Sequence, residues 1–313
     1  MLENMVSCAP LSRPCVSVII VNYNAGRILS EVVNLLLCSV SVAKVIVVDN
    51  NSKDHSMDEI KRLADSQSRL VNIYNTKNYG FAAACNIAVA ADGENDYMLF
   101  LNPDCLIDKE ALETLLACMK SSPQAGIAGP LILNPDGTEQ AGGRRAVPTP
   151  WRSFTRAFGF SRFRVRYPRL FSDFLLHQQP LPDGPVEVEA VSGSCMMVRR
   201  DAILDVGPLD DSYFLHCEDL DFCMRFRQRG WKIMFVPDAR VVHHQGTCSK
   251  TRPIFVEWHK HKGMMRFYRK FFRHQYPGVL MLIVALGVWL RFVAVAIQYS
   301  SRHTRSWFKH DRL

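Results

Sequence analysis

The chain has 313 residues, 48% of them hydrophobic, enough for one large α/β domain or two small ones with a buried core. Its formal net charge of +8 and pI near 9.0 admit nucleic acid, anionic lipid or phosphorylated substrates as partners. The 10 cysteines form no Cys-x-x-Cys pair, which leaves zinc-site and thioredoxin-type functions without support and fits a reducing compartment.

Residues 1–15 lack an apolar signal core and are read as a leader to a chain that stays cytoplasmic. Val16 to Val21 is β-branched and apolar, a first strand, and it stops in the turn Asn22-Tyr23-Asn24-Ala25-Gly26. A helix follows, with Ile28, Val32, Leu35 and Leu36 on one face. Lys44 to Asp49 is a second strand, ending in a carboxylate and Asn50-Asn51-Ser52. An amphipathic helix from about Ser56 to Ala64 and a short strand from Leu70 to Tyr74 come next. Asn78-Tyr79-Gly80-Phe81 opens a helix through Ala91. Tyr97 to Leu101 reads as a strand buried on both faces and stopped by Pro103, which cannot donate to a ladder. Asp104 then lies just past a strand's carboxyl end, where open α/β sheets bind ligands. A carboxylate there suits a hard divalent cation beside a diphosphate; an Asx turn into the next helix is the alternative. That helix spans Lys109 to Met119. A strand from Ile127 to Leu133 is closed by the turn Asn134-Pro135-Asp136-Gly137.

The alternation predicts a doubly wound, mostly parallel α/β sheet with helices on both faces. Polar groups at one sheet edge describe a nucleotide cleft. The first turn has no Gly-x-Gly-x-x-Gly, which disfavours a dinucleotide fold of that kind.

From Arg144 to Arg169 the pattern breaks into eight arginines with interleaved aromatics and no acid. The stretch reads as a solvated basic loop, a loop over the site, a membrane-facing surface or a nucleic-acid patch. Val186 to Val191 is an alternating strand that continues through Arg200. Glu218, Asp219 and Asp221 open an amphipathic helix ending at Gly230; acids there also serve as dipole partners. Trp231 to Val236 forms one more strand, and Val241-Val242-His243-His244-Gln245-Gly246 ends another.

These pieces, in this order, resemble the inverting glycosyltransferases of family 2, with the GT-A fold, over about residues 16–270. The resemblance rests on Val18 to Asn24, Val47 to Ser52, Asn78 to Phe81 with Asn86, Asn102-Pro103-Asp104, Glu218 to Asp221 with Gly230-Trp231, and His243 with Gly246. It implies a nucleotide-sugar site at Asn22, Asn24, Asp49, Asn50, Asn78, Gly80, Asn86 and Asn102. Asp49 would meet the base or ribose. Asp104 corresponds to the last acid of the family's Asp-x-Asp metal motif, with Asn102 in place of the first, as in the rhamnosyl- and galactofuranosyl-transferase branch. Asp104 and His243 would hold Mg²⁺ or Mn²⁺, with His244 the neighbour open to confusion. Asp219 corresponds to the catalytic base, and Glu218, Asp221, Gly193 and Trp231 to acceptor-side or secondary positions.

After His259 the chain is basic and aromatic, and Gly278 to Ile297 is apolar apart from Arg291. The segment is long enough to span a bilayer, and the basic run favours an anionic membrane surface. Positive charge flanks both ends and Arg291 interrupts it, which favours a helix lying in the interface or re-entering. The expected organisation is a leader at 1–15, a catalytic domain at 16–258, with its nucleotide-binding half reaching about 135, and a membrane-associated segment at 259–313. The expected activity is inverting, metal-assisted transfer from a nucleotide sugar, dTDP-L-rhamnose first among them, to a lipid-linked or glycan acceptor in surface-polysaccharide assembly. It would take place at the cytoplasmic face of the cell membrane, without nucleic acid. The competing readings are a nucleotidyltransferase and a non-catalytic basic nucleic-acid- or lipid-binding protein.

Overall fold

The computed structural model describes residues 15–93, 95–157, 159–160, 163, 166–167, 170–171, 173–244 and 252–310. Residues 1–14 of the expected leader (1–15), Gln245 and Gly246 lie outside them. In chain order come β1 (Val16–Asn22), α1 (Ile28–Leu37), β2 (Val42–Asp49), α2 (Ser56–Ser66), β3 (Leu70–Tyr74), α3 (Phe81–Ala91), β4 (Tyr97–Leu101), β5 (Cys105–Ile107), α4 (Lys109–Ser121), β6 (Ala125–Leu133), β7 (Arg144–Arg145) and α5 (Pro150–Ala157). Then follow β8 (Val186–Glu187), β9 (Ala190–Val191), β10 (Cys195–Arg199), α6 (Arg200–Val206), α7 (Glu218–Gln228), β11 (Lys232–His243), α8 (Pro253–Phe272) and α9 (Gly278–His310).

The main sheet has nine strands, in the order β3-β2-β1-β4-β10-β6-β11-β5, with β8 also on β11. β3, β2, β1 and β4 are mutually parallel, as are β6 and β11; β10, β5 and β8 run against their neighbours. The central strands are apolar throughout because both faces are covered. On β1, Val16, Val18 and Ile20 join the core under α1, α2 and α4, while Ile19 and Val21 join the core under α3, α6, α7 and α8. On α1 the buried face is Leu29, Val32, Val33 and Leu36; Leu35, expected inside, is exposed. Asp108 caps α4 by accepting the Ala111 N–H at 2.7 Å.

Two sequence expectations, both about strands, change. Val186 to Arg200 is not one strand: β8 pairs with β11, β9 with β7, and β10 enters the main sheet between β4 and β6. The two late strands are one, β11, with a register shift between Val236 and Arg240. Pro237 falls in that interval, where a residue without an N–H is tolerated. The domain boundary expected at 258/259 falls inside α8, whose Phe267, Tyr268 and Phe272 are core residues.

Among the described residues, the first part of the basic stretch, from Arg144 to Ala157, is not a solvated loop. Arg144 pairs with Glu139 at 2.8 Å, Arg152 with Glu189 at 2.7 Å and Arg156 with Asp173 at 2.5 Å, and Arg145 reaches Asp219. The acids missing from the run come from outside it. Arg144, Arg145, Arg152 and Arg156 are thus neutralised within the protein.

α9 lies along α8. Val284 is buried, and Trp289 and Phe292 pack on Trp258 with ring centroids 5.2 and 5.5 Å away. The opposite side carries Val279, Leu282, Ile283, Leu286, Leu290, Val293 and Ile297, all exposed. Their spacing of three and four residues makes a single stripe.

Candidate active site

Parallel strands deliver their carboxyl ends to one edge. β1 ends in Asn22, β2 in Asp49, and β4 runs into Asn102-Pro103-Asp104. β11 ends in His243, which is in register with Cys105 of β5. β10 starts at Cys195 opposite Leu101, so Gly193 and Ser194 reach the same edge from the other direction.

Asp104 and His243 meet there, with Nε2 3.2 Å from Asp104 Oδ1, and both are buried. Ligand atoms of Asp104, Cys105 and His243 all lie within 4.8 Å of one another. Burial pushes the Cys105 thiol well above its usual range, so it stays protonated. The donors that remain are one carboxylate and one imidazole. Such a set fits Mg²⁺ or Mn²⁺ with positions left for phosphate oxygens and water. Asn102 adds no charge; its backbone N–H donates to Ser194 O at 2.8 Å and its C=O accepts from Cys105 at 3.1 Å.

Asp219 is presented by the first turn of α7. The two residues before α7, His216 and Cys217, have φ of 66° and 69°. Left-handed backbone at two consecutive non-glycine residues costs roughly 1–3 kcal/mol each and concentrates at functional sites. The turn is pressed onto α8 at Gly263, where a Cβ would lie 2.9 Å from His216 O. Asp219 Oδ2 accepts from the Gly193 N–H at 3.1 Å and from Arg145, and Oδ1 accepts from the Leu220 N–H at 2.7 Å. Gly193 has no room for a side chain larger than hydrogen without crowding Asp219, whose Cβ would lie 3.1 Å from the added atom. Gly193 and Ser194 therefore join the Asp219 end of the site to the Asp104 end.

The other acids of α7 differ. Glu218 is buried and Oε2 has no hydrogen-bond partner; burial first, and the neighbouring Asp219 second, raise its carboxyl well above the ordinary range. Asp221 is fully buried and pairs with Arg225 at 2.7 Å and with Lys270 of α8 at 2.6 Å. It ties α7 to α8 and does not face the cleft. Trp231 lies past the far end of α7, roughly 15 Å along the helix from Asp219 at 1.5 Å per residue. Its indole donates to Asp205 at 2.9 Å, so it too is outside the acceptor side.

The polar residues expected on the donor side divide in the same way. Asp49 accepts from Asn22 at 2.9 Å and from the Ser52 N–H at 3.2 Å. Asn22 is wholly buried, with the Ser52 and Ser56 hydroxyls also 3.0 and 2.8 Å from its amide nitrogen and the Ala25 N–H on its oxygen at 3.3 Å, so it braces the loops. Asn50 donates to Gly80 O at 3.1 Å and accepts from Asn75 at 2.8 Å. Asn86 closes both of its amide groups on the Leu209 backbone, at 2.9 and 3.1 Å, and so pins a loop. Asn78 accepts from the Gly80 N–H at 2.9 Å. Gly80, at φ 89°, is required by close approach: a Cβ would lie 2.5 Å from Phe214 O. Asn24, with φ 56°, accepts from the Lys53 N–H at 2.6 Å and sits in a half-exposed loop beside Asp49's neighbours.

Two residues outside the expected set complete the site. Arg145 was legible only as part of a basic run, and it lands on Asp219. Gln140, just beyond the Asn134 to Gly137 turn, accepts from His243 Nδ1 at 2.7 Å.

Comparison with known proteins identifies the family and the fold. The model of "Glycosyl transferase family 2" matches residues 17–207. An "N-acetylglucosaminyl-diphospho-decaprenol L-rhamnosyltransferase" of Mycobacterium tuberculosis is 30% identical over 248 residues, 75% of this chain and 78% of that protein. "Rhamnosyltransferase WbbL" of Escherichia coli K12 is 27% identical over 73% of this chain and 83% of its own. Among solved structures, the mannosyltransferase PcManGT of Pyrobaculum calidifontis, in complex with GDP-Man and Mn²⁺, matches with a TM-score of 0.57 at 16% identity, covering 94% of this chain and 76% of that one; it shares the fold. With the family model covering more than half of its residues and a rhamnosyltransferase at 30% identity along most of both chains, this protein belongs to glycosyltransferase family 2 and is a glycosyltransferase of the GT-A fold.

Proposed function

We propose that the chain transfers L-rhamnose from dTDP-L-rhamnose to a hydroxyl of a lipid-linked or glycan acceptor, with inversion, in surface-polysaccharide assembly. Relatives named as rhamnosyltransferases support the sugar, and the relative named for a diphospho-decaprenol supports a lipid-linked acceptor. The observation that carries the reading is the pairing of Asp104 with His243 at the sheet edge where Asp219 is also presented. Asp104 and His243 would hold a divalent cation, which neutralises the leaving diphosphate when bound. A solved neighbour titled with Mn²⁺ is consistent with that. Asp49, Asn24, Asn78 and Asn102 line the donor side, with Asn22, Asn50, Gly80 and Asn86 bracing it. Asp219 Oδ2 is held by Arg145 and Gly193, while Oδ1 accepts only its neighbour's N–H and keeps a lone pair for the acceptor's proton. As that proton moves to Oδ1, the acceptor oxygen bonds to the anomeric carbon from the face opposite the diphosphate, and the carbon–oxygen bond to the diphosphate breaks. A single displacement inverts the centre.

The test is turnover against a panel of nucleotide sugars with a polyprenyl-diphosphate-linked sugar as acceptor. Release of dTDP from dTDP-L-rhamnose is expected. Turnover with another nucleotide sugar alone would replace the donor, and release of inorganic diphosphate from a nucleoside triphosphate would favour a nucleotidyltransferase.

The same reading puts the enzyme at the cytoplasmic face of the cell membrane, with α9 lying in the interface and its exposed stripe toward lipid. The contact between α9 and α8 supports lying over spanning, because α8 also carries the exposed Lys262 and Arg269. Leu282→Glu, Leu286→Glu and Leu290→Glu together leave the packed face intact and should release the protein from vesicles containing anionic lipid. Removal of the chain from Tyr276 onward should do the same, with weak, salt-sensitive binding left by the basic run. Full retention of the triple variant in high salt, or protease access to the tail from the outer face, would refute the interfacial helix.

A further inference from the structure

The turn Asn134-Pro135-Asp136-Gly137 has no part in the chemistry above, yet a chain of hydrogen bonds runs from it to His243. Asp136 is the anchor. Its carboxylate accepts from the Thr138 hydroxyl at 2.6 Å. With its proton committed there, Thr138 Oγ1 can only accept, and it accepts from the Asn134 amide nitrogen at 3.0 Å. Asn134 Oδ1 therefore faces the other way and accepts from Gln140 Nε2 at 3.1 Å. Gln140 Oε1 is then the atom 2.7 Å from His243 Nδ1, and an amide oxygen only accepts. Each amide orientation follows from the one before, so the ring's proton is fixed on Nδ1. In the neutral imidazole Nε2 then carries the lone pair, 3.2 Å from Asp104 Oδ1, where a divalent cation would sit against both atoms.

We propose that Gln140, oriented by this relay, is a positioning residue that holds His243 in the Nδ1–H tautomer and so readies Nε2 to ligate the divalent cation. The inference rests on the metal reading above. Gln140 is buried and 103 residues from His243 in sequence, so the contact is made by the fold. Metal-bound histidines commonly donate their other N–H in this way, and losing the acceptor typically weakens metal binding about 10–100-fold.

The test uses the full chain with ¹⁵N-labelled histidine at pH 8, His243→Asn identifying the His243 signal, and Mn²⁺ titrated calorimetrically without donor. Wild type should show Nδ1–H. Gln140→Leu should shift the ring toward Nε2–H and raise the Mn²⁺ Kd about 10–100-fold. Gln140→Glu, which still accepts from Nδ1 although it can no longer donate to Asn134, should keep the Nδ1–H. Thr138→Val, at the exposed end of the relay, should move both readouts the same way by less, and it serves if Gln140→Leu does not fold. A bracing role alone would lower the melting temperature and leave the tautomer unchanged. Nε2–H in the wild type, or a Gln140→Leu variant with unchanged tautomer and Kd, would overturn the proposal. Nδ1–H in a wild type that takes up no Mn²⁺ would overturn the metal reading while supporting the tautomer clamp.

Discussion

Asp219→Asn should lower turnover about 10²–10⁴-fold, the usual worth of a positioned base, and leave donor binding intact. The substitution keeps the shape, and its single oxygen, placed where Oδ2 is, can still accept from Gly193 and Arg145, while the bond from the Leu220 N–H is lost. The neighbouring acids are the controls. Glu218→Gln mimics a protonated carboxyl, and turnover should change little. The Glu218 carboxyl is raised in the folded protein, so the native state binds its proton more tightly than the unfolded chain does. The stability this contributes is complete below the unfolded value near 4.5 and is lost as pH rises above it through the folded value. Glu218→Gln should therefore flatten the fall in melting temperature on the alkaline side. Asp221→Ala removes a fully buried partner of Arg225 and Lys270 and should cost about 3 kcal/mol or more of stability. Its turnover per folded molecule should stay near normal. If Asp219→Asn turns over normally while Glu218→Gln is dead, the base is the other carboxylate.

Asp104→Ala should abolish Mn²⁺-dependent donor binding, measured by calorimetry with the nucleotide sugar, and EDTA should stop wild-type turnover. Two consequences of the geometry set the size of the effect. Asn102 brings no charge, so Asp104 is the only carboxylate among the described residues grouped with His243 and Cys105. Its loss leaves one imidazole, which is too little to hold a hard cation. Asp104→Asn should fall between, because an amide oxygen still ligates without charge. Full activity in EDTA would remove the metal from the mechanism and leave Asp104 and His243 with a structural task.

The sequence by itself determined the alternating strands and helices up to β6, β5 apart, and the edge at which the chemistry gathers. A strand such as Tyr97–Leu101, buried on both faces, is written in five consecutive apolar residues, and its end is written in Pro103. Asp49, Asp104, Asp219 and His243 stand at element ends that local pattern alone can locate, because turn chemistry and apolar periodicity act over a few residues. Which partner each polar side chain meets was decided only in three dimensions. Arg145 and Asp219 are 74 residues apart, Asn86 and Leu209 123, and Gln140 and His243 103. Arg144, Arg145, Arg152 and Arg156 looked solvated because their acids are supplied by β9's approach, α7 and two loops. Asp219 and Asp221 are two positions apart on one helix, yet one is held at the cleft and the other is locked between α7 and α8. Propensity and spacing describe a residue's own backbone. The destination of its side chain depends on the surface that tertiary packing brings against it.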